Sequence, residues 1–371
     1  MIRIGARAFL TGLCVVSIGL LSTSTSLWAQ QHYTQTNLVS DSPGMAAVTD
    51  SHLVNPWGIS RGSGTPWWVS DNGMGVTTLY AGTGSPVPLV VTIPPSSVNK
   101  GMPGNPTGQV FNGTTNFELT PKNPAKFIFA TEDGTVSGWN PAVSPTTAVI
   151  KVDTKGAAIF KGLTVATLND PIVGPTYFLY AADFHNARVV VWDSHFNKIS
   201  LGPIAFQDPL VPRGFAPFNV QNIGGNIYVA FAKQDSAKHD EVDGAGLGYV
   251  TVFTPAGQLI RRLDHGTWFN APWGVAQAPS DFGAYSHDIL VGQFGSGQIL
   301  VFNPQTGHFL GRLRDAKNAP IAIKGLWGIN FGSGGTSGPA TTLFFAAGID
   351  DESHGLFGTI TAVENVLGGD L

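Results

Sequence analysis

The tripeptide Pro-Trp-Gly is written at 56–58 and again at 272–274, and Leu-Trp-Gly follows at 326–328. A motif that returns over such distances constrains the fold more than composition does, because self-similarity at a fixed period marks a repeat architecture. With the residue before the Trp as anchor, matching positions are Pro56, Pro106, Leu163, Pro217, Pro272 and Leu326, spaced by 50, 57, 54, 55 and 54 residues. Each unit carries the same runs, "PWGVAQ", "HDILVGQF", "GQILVFNP" and "FLGRLRD" in the fifth. Short stretches rich in β-branched and aromatic residues, bounded by Gly, Pro, Asn and Asp, read as strands. Four strands in a period near 50 describe a blade of a β-propeller.

The expected fold is therefore all-β: one six-bladed β-propeller over residues 32–363, with four-stranded blades and a tail at 364–371. The last unit shows only three runs. "HYTQTNLVSD", 32–41, ends as the outer runs "LIRRLD" and "LGRLRD" do, so it is expected to close the ring as the outer strand of the last blade. In the repeated motif Pro opens an inner strand, Gly permits close approach at the axis, and Trp supplies a plate between blades or at the channel mouth. Charged residues are only 12% of the chain, against 47 Gly and 25 Pro, which suits many turns and few exposed helices.

The first residues belong to a different pattern. Arg3 and Arg7 precede an apolar run from Ala8 to Leu21, and Leu27-Trp28-Ala29 follows a Ser/Thr stretch. This is the layout of a secretory signal over 1–29, cut near Ala29. The run is too short for a comfortable membrane span. The one cysteine, Cys14, lies inside it, so the mature chain has no thiol chemistry. The expectation is a secreted or periplasmic monomer, not inserted in a membrane after cleavage. A net charge of −4 without a basic stripe excludes nucleic acid as the natural partner.

"APWGVA…HDILVGQFGSGQILVFNPQTGHFLGRL" and "YFLYAADFHNARVVVWDSHFNKI" resemble repeats of the NHL type. The chain from about residue 35 to 363 also resembles a group of exported bacterial propeller proteins without an assigned activity. The resemblance implies a six-bladed propeller and carries over no catalytic residue.

In a propeller the loops entering inner strands and leaving second strands share one face. Second-strand exits place Asp71, Glu132, Asp133, Asp183 with His185, and Asp350, Asp351 and Glu352 on that face. The long loop 233–248 adds Asp235, His239, Asp240, Glu241 and Asp243. Hard oxygen donors of this kind suit Ca2+, and the candidate ligands are Asp235, Asp240, Glu241, Asp243, Asp350, Asp351 and Glu352. A single Asp at a strand end equally serves to cap the following turn. Lys161 and Lys324 both sit in Lys-Gly-Leu, in units facing each other across the ring, where they would hold an anion or pair with the acidic rim, unless they are ordinary solvated lysines. Trp57, Trp273 and Trp327 in the same region would form a platform for a sugar or a cation, unless they simply pack the blades.

No nucleophile elbow, paired cysteines or HExxH zinc motif occurs. Two functions remain. One is a binding module offering its loop-rich face to a polymer, a peptide or a small molecule. The alternative is a Ca2+-dependent hydrolase or lyase, lactonase-like, with the metal on the axis. A cation held by several blades would favour the second, and an axis filled by Trp would favour the first.

Overall fold

Repeats one to five each fold into one antiparallel sheet whose strands run outward from the axis in chain order, the sixth sheet takes its outer strands from residues 33–49, and the six form the ring. The computed structural model describes residues 31–170, 172 and 174–363 together with Met1. The expected signal segment and the tail lie outside the described residues, save Met1. The inner strands are Pro56–Ser60, Pro106–Phe111, Phe160–Asp170, Phe215–Ile223, Pro272–Gln277 and Leu326–Phe331. Blades are numbered here in that order. Among the described residues no helix is long and apolar enough to cross a membrane.

Every blade is sandwiched between two others, so its middle strands are apolar on both faces rather than alternating. The second strand of blade 1, Trp67–Asp71, is buried at every residue. Trp67 packs on Phe344 of blade 6, with ring centres 4.9 Å apart, while Trp68 stacks on Phe127 of blade 2 at 4.1 Å. Successive side chains thus anchor opposite seams, as the two-residue period of a strand requires.

The ring closes as the sequence predicts. Tyr33–Ser40 pairs antiparallel with His354–Ala362, from Tyr33 opposite Ala362 to Ser40 opposite Leu356. It is the outer strand of blade 6, and a two-residue strand, Val48–Thr49, adds to it in parallel. Ser40 Oγ donates to Gly355 O at 2.7 Å, and the Asp41 carboxylate meets His354 Nδ1 at 2.7 Å and accepts from Gly355 N at 2.8 Å.

The motif glycines are explained at the axis. A Cβ on Gly58 would lie 2.5 Å from Thr107 O of blade 2, and one on Gly328 would lie 2.6 Å from Trp57 O of blade 1. Inner strands of adjacent blades meet there backbone to backbone, which only Gly permits.

One expectation needs correction. Pro56 pairs with Asp71 and Phe160 pairs with Asp183, each before a bulge, so Phe160-Lys161-Gly162 is the counterpart of Pro56-Trp57-Gly58. The blade 3 anchor is Phe160, not Leu163, because Phe stands where the other anchors have Pro or Leu. Between the inner and second strands of blade 2 lies a small ribbon of Glu118–Thr120 and Asn123–Pro124. Phe117 beside it is fully buried, edge-on to Phe196 of blade 3 at 5.5 Å.

Candidate functional site

With that register, the Trp position of the six blades is filled by Trp57, Thr107, Lys161, Phe218, Trp273 and Trp327. Trp57 and Trp327 stack at 3.5 Å between ring centres, and Trp273 stands edge-on to both, at 6.2 and 5.7 Å. Phe218 and Phe294 close on Trp327 at 5.6 and 4.2 Å. The three Trp predicted to share one region are thus brought together, and they plug the axis.

Lys161 ends the plug on one side. Its side chain is fully buried, and its Nζ lies 4.9 Å from the Trp57 ring centre and 5.9 Å from that of Phe184. The ammonium donates to Glu132 Oε1 at 2.5 Å and to Asp240 Oδ1 at 3.0 Å. Burial would strip its proton, but the charges of Glu132, Asp240 and Glu241 outweigh burial and hold the amine above the ordinary lysine range. Asn72 Nδ2 donates to the other oxygen of Glu132 at 2.9 Å, fixing it from blade 1.

Two further carboxyls complete the mouth. Glu352 Oε1 accepts from Trp327 Nε1 at 3.2 Å. It is delivered by three consecutive residues in the left-handed region, Asp350, Asp351 and Glu352, with φ of 51, 54 and 62°. Such conformations cost of order 1 kcal/mol each for residues with a Cβ and persist where the surroundings impose them, commonly at functional sites. Glu241 comes from the long loop of blade 4. Burial pushes its carboxyl up to about 8, with Lys161 opposing and the charges of Glu352 and Asp240 adding. Glu352 is pushed up to about 7, by burial first and by Glu132 next, with Lys161, Asn55 and Trp327 drawing it back. Asp240 goes the other way: burial works against its charge, but Lys161 and then His239 hold it below the usual carboxylate range. Blades 2, 4 and 6 thus place four carboxyls around one ammonium over an aromatic floor. Among the described residues, Glu132, His239 and Asp240 also present ligand atoms within 4.8 Å of one another.

The other predicted residues lie elsewhere. Lys324 is exposed, two residues ahead of Leu326, and is not the counterpart of Lys161. Lys161 itself pairs with the acidic rim, the second of the two roles expected of it. Asp183 is buried and serves its own turn, accepting from Asn186 Nδ2 at 2.9 Å and Arg188 Nε at 3.0 Å. Asp71 is fully buried in the seam between blades 1 and 6. His185 reaches Lys238 O at 3.3 Å, against the blade 4 loop. Asp235 caps that loop through His239 N at 2.8 Å. Asp243, Asp350 and Asp351 are exposed. Of the predicted metal set, Asp240, Glu241 and Glu352 therefore gather around Lys161. Glu132, fixed at the centre, was visible only as one acidic exit among several.

The comparisons with known proteins agree on architecture. No family model matches the chain. Among solved structures it is similar to a protein of unknown function from Bacteroides thetaiotaomicron, at a TM-score of 0.52 and 12% identity over 90% of this chain and 76% of the other. A streptogramin B lyase structure matches at a TM-score of 0.50 and 12% identity, over 91% and 99% of the two chains. Identities this low speak for the fold alone. The mimivirus protein is much nearer in sequence: the "Uncharacterized protein R648" of Acanthamoeba polyphaga mimivirus is 31% identical over 337 residues, 87% of this chain and 78% of its own length. That relative is viral, whereas the sequence pointed to an exported bacterial group. The chain belongs to the family of mimivirus protein R648.

Proposed function

We propose that the protein is a binding module whose acidic axial mouth takes a cationic group, an ammonium or guanidinium carried by a basic peptide. The observation that carries this reading is the imbalance at the mouth. Lys161 engages Glu132 and Asp240, whereas Glu241 and Glu352, the latter on Trp327 Nε1, make no ion pair among the described residues. A ligand cation placed there would favour loss of the protons that burial holds on both groups, and would gain two carboxylates in a partly desolvated setting, where such contacts are strongest. The Trp plug across the axis supports binding rather than passage through the ring.

Calorimetric titration with short Lys- and Arg-containing peptides tests this, with acidic and uncharged peptides as controls. Basic peptides should bind, more weakly as salt rises, and the Glu241→Gln/Glu352→Gln protein should lose the binding while keeping its melting midpoint. Equal affinity for uncharged peptides, or binding indifferent to that double substitution, would overturn the reading.

The Ca2+-dependent hydrolase or lyase reading draws support from Glu132, His239 and Asp240. Two of those three already hold Lys161, so a divalent ion would have to compete with a tethered ammonium. A melting midpoint raised by Ca2+ and lowered by EDTA would revive it.

Export belongs to the same proposal: cleavage near Ala29, a monomer outside the cytoplasm, and NHL-like repeats as its scaffold. Amino-terminal sequencing of protein recovered from the medium or periplasm checks the cut, and a chain retained whole in the cytoplasm would refute it.

A further inference from the structure

A second recess lies away from the axis, in the seam between blades 2 and 3. Its volume is about 230 Å³. The outer strand of blade 3 is only Lys198–Ile199, too short to cover the blade's outer half, and this leaves the seam open. The floor is apolar and buried: Phe160, Val190, Trp192 and Phe196. The rim carries three cations, Lys151, Arg188 and Lys198.

Three features distinguish this groove from an ordinary crevice. The first is charge. The chain has only 20 Lys and Arg, and three of them line one recess whose single carboxylate, Asp183, is fully buried and already held by Asn186 and Arg188. Arg188 makes that contact through Nε, and Lys198 pairs with no carboxylate among the described residues. With one carboxylate against three cations the recess keeps a net positive charge, and an anion relieves the repulsion. The second is the placement of Phe196. It has a left-handed backbone, φ 63°, inside a turn pinned by Asp193, which accepts from His195 N at 2.8 Å and Asn197 N at 2.9 Å. A bulky residue in that conformation is strained, and the strain keeps the ring as a wall beneath Lys151 Nζ, 5.6 Å from its centre. The third is Trp192, 2% exposed, whose indole stands edge-on to Phe160 at 5.5 Å between ring centres and gives the floor a fixed aromatic surface. A mostly apolar recess with a few converging polar groups is the usual composition of a small-molecule site.

We propose that this groove binds a small aromatic carboxylate, its ring against Phe160, Trp192 and Phe196 and its charge at the Lys151, Arg188 and Lys198 rim. The recess exceeds the roughly 150 Å³ that suffices for benzene in an engineered cavity, which leaves room for one ring with a short acidic side chain.

Saturation-transfer NMR on the full chain with phenylacetate, its neutral amide and phenethylamine tests this. Phenylacetate should bind, the amide roughly tenfold more weakly, and the amine not at all. In Lys151→Gln/Lys198→Gln, phenylacetate should weaken by a similar factor, with the melting midpoint and peptide binding at the axial mouth unchanged. Trp192→Phe should remove the fluorescence quenching that phenylacetate causes while the NMR transfer persists. Equal binding of acid and amide, no loss in the double-lysine variant, or no transfer to any of the three would each overturn the assignment.

Discussion

Lys161 stands in blade 3 where Trp57 stands in blade 1, and its ammonium lies 4.9 Å from the centre of the Trp57 ring. One strand position thus supplies both the aromatic plug and the cation that caps it. The carboxylates that converge from blades 2 and 4 find their counter-charge inside the chain, so the acidic mouth is built around a resident ammonium.

Replacing Lys161 by Met keeps the packing volume and removes the charge. Glu132 would then be left half-buried without its cation, and breaking a buried pair by deleting one partner costs about 3–5 kcal/mol. Asp240 is largely exposed, with 62% of its side chain open, so the lower end of that range, about 3 kcal/mol, is expected. Denaturant unfolding measures it. The companion Lys161→Met/Glu132→Gln should regain a large part of the loss, because the stranded carboxylate is gone.

Asp71 and Asp183 occupy the same strand position, and one substitution separates their fates. Across the hairpin, Asp183 faces Arg188 whereas Asp71 faces Val76. Among the described residues, neither oxygen of Asp71 has a hydrogen-bond partner of regular geometry. Burial pushes its carboxyl well above the usual carboxylate range; Asp50 adds to the rise, and Thr78 draws it part of the way back. The folded protein therefore keeps this proton after the unfolded chain has lost it near pH 4, and stability falls as pH rises from there toward the folded value, by at most about 1.4 kcal/mol per pH unit. Asp71→Asn should flatten that slope and raise the melting midpoint at neutral pH. Asp183→Asn, which weakens a charged pair, should lower it. Melting curves of the three proteins between acid and neutral pH decide between these outcomes.

What the sequence makes legible follows from what is local. The blades are visible because every one repeats a buried strand pair, and Trp57, Trp273 and Trp327 are visible together because each is followed by the Gly that lets inner strands touch. Ring closure is legible from a strand missing at one end and a spare one at the other. Lys161 is misplaced by three residues because Phe160 replaces the anchoring Pro, so its kinship with Trp57 appears only in the strand register. Glu132 looks like any acidic turn residue until Asn72 and Lys161 are seen on either side of it. The basic groove gives no sequence signal, since Lys151, Arg188 and Lys198 come from three different strands and converge only across a seam.

The Gly of the repeated motif makes a sharp steric prediction. A methyl group on Gly328 would sit 2.6 Å from the carbonyl oxygen of Trp57, which is backbone and cannot swing away. Gly328→Ala should therefore push blades 6 and 1 apart at the axis, at a cost of about 1–3 kcal/mol. By contrast, nothing lies within 4 Å of such a group on Gly64, so Gly64→Ala should leave the midpoint nearly unchanged. Thermal melts of the two variants side by side measure the difference.

The closing strand carries a titratable clasp. Asp41 meets the ring nitrogen of His354 at 2.7 Å, and this hydrogen bond, with the charge of Asp41, raises the histidine above its ordinary value. For a histidine raised in the folded state, the added stability is fully present below the unfolded value near 6.5 and is lost as pH climbs through the folded one. The Gly355 N–H, held by the other Asp41 oxygen, does not titrate, so that part of the clasp stays when His354 loses its proton. His354→Gln should thus cost stability in mildly acidic solution and little in alkaline solution, whereas Asp41→Ala, which also frees Gly355 N–H, should cost at both. Hydrogen exchange along Tyr33–Ser40 reads the clasp directly, and exchange in His354→Gln that matches the parent chain at acid pH would show that the pair contributes nothing to closure.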